Sequence, residues 1–284
     1  MWHRNYDGSP ILYLIPTPIG NMEDITYRAV KVLNEVDVIF SEDTRVTQNL
    51  LSYFNISKKL VSLHDHNEDT VKEKVLCYLN EGKSVGLVTD RGTPIISDPG
   101  YKTVKYISSF GFHIVALPGA NAFVPALIVS GLAPQPFTFY GFLDSKDSKK
   151  RKELENLKFI NNTLIFYEAP HRILNTMKLM LVVFGDREVS LSREISKKFE
   201  SVYRGKISGL LHTLEDAKGE FVIVVSGNKE RLDEDSDLDI ISQVNFYIDN
   251  GLSKMDAIKI VAKERNLKKN DVYAEYHRGD NVWN

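Results

Sequence analysis

The stretch VGLVTDRGTPIISDPG, residues 85–100, decides the fold. Its first four residues are an uninterrupted apolar run, the signature of a strand buried on both faces. The next twelve hold two glycines, two prolines and two aspartates, the composition of a loop shaped by its backbone. Open parallel sheets bind ligands outside the carboxyl ends of their strands, so a loop of this kind just past a buried strand marks a candidate site.

Working outward, the same pairing recurs. Ile11–Ile15 reads as a strand and is followed by Pro16-Thr17-Pro18-Ile19-Gly20-Asn21. Val36–Phe40 is followed by Ser41-Glu42-Asp43-Thr44-Arg45, Ile114–Leu117 by Pro118-Gly119-Ala120-Asn121, and Leu164–Tyr167 by Glu168-Ala169-Pro170-His171-Arg172. Helical periodicity separates the runs: Asp24 offers a cap, then Ala29, Val30, Leu33 and Val36 fall on one face. Alternation of this kind implies an α/β protein with a mostly parallel sheet. After Leu117 the rhythm shifts. Phe137–Phe142, Val189–Ser192, Phe199–Arg204 and Phe221–Val225 read as strands of a second, more mixed α/β domain, with helices at about 150–159, 173–183 and 207–214. Lys229–Asp239 reads as an acidic linker, and Gln243–His277 as helical with breaks near Gly251 and Asn266. The expected division is 10–118, 119–228 and 229–284.

The bulk numbers exclude several classes. Of 284 residues, 43% are hydrophobic and 26% charged, an ordinary globular balance. One cysteine, Cys77, can form no internal disulfide and fits a reducing compartment. No apolar run approaches the roughly 20 residues that span a bilayer, and no signal peptide opens the chain, so a cytoplasmic protein with no membrane partner is expected. A formal net charge of -2 confines any nucleic-acid surface to a local patch. There is no G-x-G-x-x-G after the first strand, no P-loop and no G-x-S-x-G elbow, which argues against dinucleotide oxidoreductases, P-loop NTPases and α/β hydrolases. His64-Asp65-His66-Asn67-Glu68 holds possible metal ligands. Alternating strand positions diverge, however, so a polar rim touching substrate is the expected reading, with no metal.

In series, TPIGN (17–21), SEDTR (41–45), HDHNE (64–68), GTPIISDPG (92–100), LPG (117–119), FYEAPHR (166–172), SRE (192–194) and KGEFV (218–222) resemble the tetrapyrrole methylase superfamily, and within it the branch that methylates RNA on the ribose 2′-hydroxyl. The order and spacing match over about Leu12–Gly227. The resemblance implies two α/β domains with S-adenosylmethionine in the cleft between them, a small C-terminal helical domain, and a homodimer. It implies methyl transfer to a cytidine 2′-hydroxyl in the decoding region of small-subunit (16S) ribosomal RNA. The chain departs from the family pattern at Arg91, usually Ala, at Ala120-Asn121, usually Pro-Ser, and at Ala169, usually Ser.

On this reading Pro18, Asp90, Gly92, Thr93, Asp98, Asn121, Ala122 and Tyr167 hold the cofactor. The acceptor hydroxyl is a weak nucleophile that a base would help, and Asp43, His64, Glu68 and Glu168 are the candidates. Arg45, Arg172 and Arg193 suit phosphate, because guanidinium binds it bidentately; the competing reading pairs Arg45 with Glu42. The segment 253–272 carries six Lys/Arg, among them Lys268 and Lys269, against three Asp/Glu, which suits a small helix-turn-helix-like RNA grip. Two rival readings remain: a tetrapyrrole methyltransferase of the same fold, which would not show salt-dependent RNA binding, and a non-catalytic RNA-binding assembly factor, which would not bind the cofactor.

Overall fold

The computed structural model describes residues 7–214, 218–228, 239–249, 253–265 and 267–279; most of the acidic stretch 229–239 falls outside them. Its contacts divide the chain into two compact units, Met1–Gly227 and Asn228–Asn284.

The first unit contains two five-stranded sheets. The chain runs β1 (Ile11–Leu14), α1 (Tyr27–Glu35), β2 (Val38–Ser41), α2 (Thr44–Tyr53), β3 (Lys59–Ser62), α3 (Glu68–Asn80), β4 (Val85–Val88), α4 (Tyr101–Ser109), β5 (His113–Ala116) and α5 (Phe123–Val129). These strands are all parallel, in the order β3-β2-β4-β1-β5. β2 and β4 are buried at every position, as their continuous apolar runs require of central strands covered by helices on both faces. Two cores result: Ile15, Leu33, Ile39 and Leu51 on one face, Phe40, Val75, Leu87 and Ile107 on the other. β2 starts two residues later than the sequence suggested, because Val36 still belongs to the end of α1, its N–H donating to Val32 O.

The second sheet follows with β6 (Phe137–Phe142), α6 (Asp147–Leu157), β7 (Thr163–Glu168), α7 (Ile173–Phe184), β8 (Glu188–Arg193), β9 (Ser201–Lys206), α8 (Ile207–Leu210) and β10 (Phe221–Val225). Its order is β6-β7-β10-β8-β9; only β6 and β7 run parallel. Here too one boundary moves: the last strand before α8 starts at Ser201 rather than Phe199. Residues 194–200 form a tight turn with positive φ at Glu194 and Ser196, which leaves Phe199 outside the ladder.

The second unit contains α9 (Ile240–Asp249), α10 (Lys254–Glu264) and α11 (Lys269–Gly279). Ser253 caps α10, its hydroxyl accepting from Asp256 N. Ala257, Ile258, Val261 and Ala262, at helical spacing, form its core with Val244, Val272 and Tyr276. Among the described residues no helix is long and apolar enough to cross a membrane.

Candidate functional site

The loops at the carboxyl ends of the first sheet open onto a cavity of about 710 Å³, whose opposite wall comes from the second sheet. The first wall supplies Ile19 after β1, Glu42 after β2, Asp90, Gly92, Thr93 and Asp98 after β4, and Asn121 and Ala122 after β5. The second supplies Phe142, Tyr167 and His171 near β6 and β7, and Glu194, Ile195 and Lys197 after β8. Seven of the eight residues expected around the cofactor thus line one cavity. Pro18 does not: it is buried, and its neighbour Ile19 takes the surface position.

Backbone pairing shapes the first wall. Thr17 and Gly92 exchange both main-chain hydrogen bonds, at 2.9 and 3.0 Å, tying the loop after β1 to the loop after β4. Gly92 sits at φ +83, a conformation that glycine adopts at little cost, and a Cβ there would crowd the Ile19 side chain. Asp43 N donates to Asp90 Oδ1 at 3.0 Å, and Thr93 Oγ1 to Ala120 O at 3.0 Å. The whole series of loops is therefore cross-linked into one surface.

Carboxylates dominate that surface. Buried Thr89 donates its hydroxyl to Glu42 Oε2 at 3.1 Å and also bonds the Asp98 carboxyl. Burial, and next the charge of Glu42, push Asp98 up to about 6 from an ordinary 3.8. One hydroxyl proton serves two carboxyls, so a proton on the pair completes the hydrogen bonding. Tyr167, facing them from β7, is pushed up to about 12 by burial and stays neutral.

On the opposite wall each charge is answered. Glu194 Oε1 takes Lys197 Nζ at 2.9 Å, and Lys197 reaches Glu220 at 3.0 Å. Glu220 in turn holds Arg91 Nη1 at 2.8 Å, so one of the residues that depart from the family pattern closes an ion-pair ladder between the two walls.

The expected catalytic residues scatter. Glu168 borders the cavity, but its side chain is fully buried. Oε1 accepts from Ala169 N at 2.9 Å and sits 3.0 Å from Arg172 Nε, while Oε2 accepts from Thr176 Oγ1 at 2.6 Å. Buried Lys150 donates to the same Thr176 hydroxyl at 2.8 Å and lies 3.9 Å from Oε2. A carboxylate so engaged forms a structural ion pair, an arrangement that suits the scaffold better than the role of a base. Arg172 is engaged likewise, donating through Nη2 to Leu143 O and Asp144 O at 2.6 and 3.1 Å, which leaves it poorly placed for phosphate. Glu68 is also occupied within the scaffold. It is buried and accepts from Thr103 N at 2.7 Å, satisfying a free N–H in the first turn of α4. His64 lies outside the cavity lining, with Nδ1 buried and no hydrogen-bond partner among the described residues.

Asp43 and Arg45 stand beside the cavity, between its lining residues Glu42 and Val46. Asp43 Oδ1 caps α2 through Arg45 N at 2.8 Å, and its carboxylate forks onto the Arg45 guanidinium, the shortest contact 2.6 Å. Those hydrogen bonds hold Asp43 down to about 2. The partner of Arg45 is therefore Asp43, not Glu42, and Glu42 is freed for the cavity. Arg193 ends β8 with its Nε buried. Lys268 and Lys269 are exposed at the start of α11.

Comparison with known proteins agrees with this arrangement. Residues 11–211 match the family described as Tetrapyrrole (Corrin/Porphyrin) Methylases. A Bacillus subtilis (strain 168) protein named Ribosomal RNA small subunit methyltransferase I is 46% identical over 94% of each chain. A Vibrio cholerae protein of the same name is 41% identical, again over 94% of each. Among solved structures, cobalt precorrin-4 methyltransferase superposes with a TM-score of 0.57 at 19% identity, over 76% of this chain and 94% of that one. Diphthine synthase superposes with a TM-score of 0.59 at 15% identity, over 80% and 93%. At such identities the two structures establish the fold alone.

Proposed function

The chain belongs to the tetrapyrrole methylase family, in the group of ribosomal RNA small subunit methyltransferase I, and from that premise we propose that it moves a methyl group from S-adenosylmethionine to small-subunit ribosomal RNA. The acceptor is the ribose 2′-hydroxyl of a cytidine in the decoding region, and the enzyme works as a cytoplasmic homodimer. The observation that carries this reading is the acidic first wall. Glu42, Asp90 and Asp98 line a cavity of a size that holds a nucleoside-like ligand, and Glu42 and Asp98 have no cation paired with them among the described residues. Such a wall is complementary to a ligand that carries a sulfonium and an ammonium group.

Asp90, Gly92, Thr93, Asp98, Asn121, Ala122 and Tyr167 are the residues that would hold the cofactor. When bound, it supplies an electrophilic methyl group that leaves a neutral thioether behind. The chain's part is chiefly alignment, since in-line displacement rewards positioning. The Glu42–Thr89–Asp98 group is the proton acceptor: the acceptor hydroxyl loses its proton as the new C–O bond forms, and a carboxylate oxygen of the pair takes it. This replaces Glu68 and Glu168 in that role. Arg45, exposed beside the cavity, and Lys268 and Lys269 on the helical unit are the phosphate contacts.

The test is to incubate the protein with methyl-labelled cofactor and unmethylated small ribosomal subunits, then digest the RNA to nucleosides. Label is expected in 2′-O-methylcytidine. Label on a base carbon, or acceptance only by a tetrapyrrole, would overturn the reading.

A further inference from the structure

Among the described residues, two of the most exposed aromatic side chains lie close along the chain to one contact between the two walls. Tyr27, the first residue of α1, is 98% exposed, and Phe199, in the turn between β8 and β9, is 72% exposed. Ser196 Oγ meets the Asp24 carboxylate across the gap, three residues from each ring in sequence. On the same seam the aliphatic stem of Lys197 lies against Gly20, leaving no room for a Cβ there.

The turn that carries Phe199 is rigidly pinned. Glu194 and Ser196 hold positive φ of 52 and 71, a strained conformation for residues with side chains. It is held by Lys197 N donating to Glu194 O, Glu200 N to Lys197 O, and Ser196 N to Glu200 Oε2, at 3.0, 3.0 and 2.6 Å. Glu194 is anchored in turn, accepting from Glu220 N at 3.0 Å and lying so close over Gly219 that no Cβ fits. This bracing projects Lys198 and Phe199 outward, the ammonium 5.7 Å from the ring centre. Ile195 and Lys197, four and two residues before Phe199 on the same turn, line the cavity.

Burying a phenylalanine is favourable, so a strained turn that holds one in water points to a partner. A cation beside an exposed ring is the combination that takes an unstacked nucleobase with its phosphate. We propose that Tyr27 and Phe199, with Lys198 between phosphates, form a stacking rim at the cavity mouth that seats the unpaired bases of single-stranded RNA next to the methylated residue. The inference rests on the RNA reading above and names where the RNA lies.

The probe is a fluorescently labelled single-stranded RNA of about ten nucleotides, titrated into the full chain and followed by anisotropy. Phe199→Ala and Tyr27→Ala are each expected to weaken binding about 5- to 100-fold, the span that one stacked base contributes. Phe199→Trp retains affinity. Lys198→Gln lowers the slope of log affinity against log salt by about one. Cofactor affinity and thermal midpoint stay unchanged in all four, because none of these side chains lines the cavity. RNA affinity equal to wild type in Phe199→Ala would overturn the proposal. So would a loss of dimer in sedimentation with RNA binding intact, which would make the rim a protein interface. The methyl-transfer assay keeps the two inferences apart: RNA bound at this rim with no methyl transferred refutes the function alone, and transfer indifferent to Phe199→Ala refutes the rim alone.

Discussion

The two walls of the cavity treat carboxylates in opposite ways. On the first sheet, Glu42 and Asp98 share one hydroxyl, and burial together with the Glu42 charge raises Asp98. On the second sheet, Glu168 answers Arg172 and Lys150, Glu194 answers Lys197, and Glu220 answers both Lys197 and Arg91. Both sets sit at or beyond strand ends and look alike in the sequence. Their neighbours separate them: a carboxylate left short of partners at a cavity is poised for a ligand, whereas one satisfied by buried cations holds the scaffold.

The sharpest way to break this contrast is to remove one charge from each wall. Glu168→Gln leaves the Lys150 and Arg172 charges without their anion, and breaking such a buried pair costs about 3–5 kcal/mol. Thermal unfolding is expected to report that loss, while the fraction that stays folded binds cofactor normally. Normal stability with lost methyl transfer would return Glu168 to the catalytic list.

Asp98→Asn should do the reverse. Loss of the proton acceptor lowers the methyl-transfer rate by roughly 100-fold, a typical general-base contribution. Stability moves the other way, with a definite sign. The folded Asp98 titrates near 6, above its ordinary 3.8, so its contribution to stability is complete below about pH 4 and lost as pH rises through 6. The unliganded wild type should therefore lose about 1–2 kcal/mol between pH 4 and 7 relative to the variant, a shift of two units discounted for partial exposure to water. Denaturant midpoints of both proteins at pH 4, 5.5 and 7 measure it. Parallel curves would mean that Asp98 is not perturbed.

The smallest effect is expected at the Arg91–Glu220 pair. Arg91 and Glu220 are both more than half exposed, and such pairs contribute at most about 1 kcal/mol. Arg91→Ala, which restores the residue usual in the family, should leave stability within that margin and methyl transfer within about twofold. A tenfold change in rate would give the ladder a part in aligning the walls.

Much of this architecture was legible in the sequence because it rests on local patterns. Continuous apolar runs mark β2 and β4 as buried strands, and glycine and proline after them mark the loops that line the cavity. The spacing of Ala257, Ile258, Val261 and Ala262 marks the face that packs the helical unit. What the sequence hid depends on partners distant along the chain. Glu68 caps α4 from 35 residues away, and Lys150 meets Glu168 only when α6 and α7 pack together. No spacing rule reveals that a glutamate is already satisfied. Glu42 was obscured for the converse reason: its neighbour Arg45 suggested an ion pair, and the cap at Asp43 took that arginine instead.

The most direct test of the central claim, that the acidic wall receives a cationic methyl donor, is calorimetric titration of S-adenosylmethionine into wild type and Asp98→Asn at pH 5, 6 and 7.5. A cation beside Asp98 favours its ionised form, so wild-type affinity should rise with pH through 6, with one cofactor per chain and release of part of a proton near pH 6. In Asp98→Asn the affinity should be about tenfold weaker at pH 7.5, and flat with pH. No binding heat at millimolar cofactor with folded wild-type protein, or equal affinity in both proteins at every pH, would contradict the account.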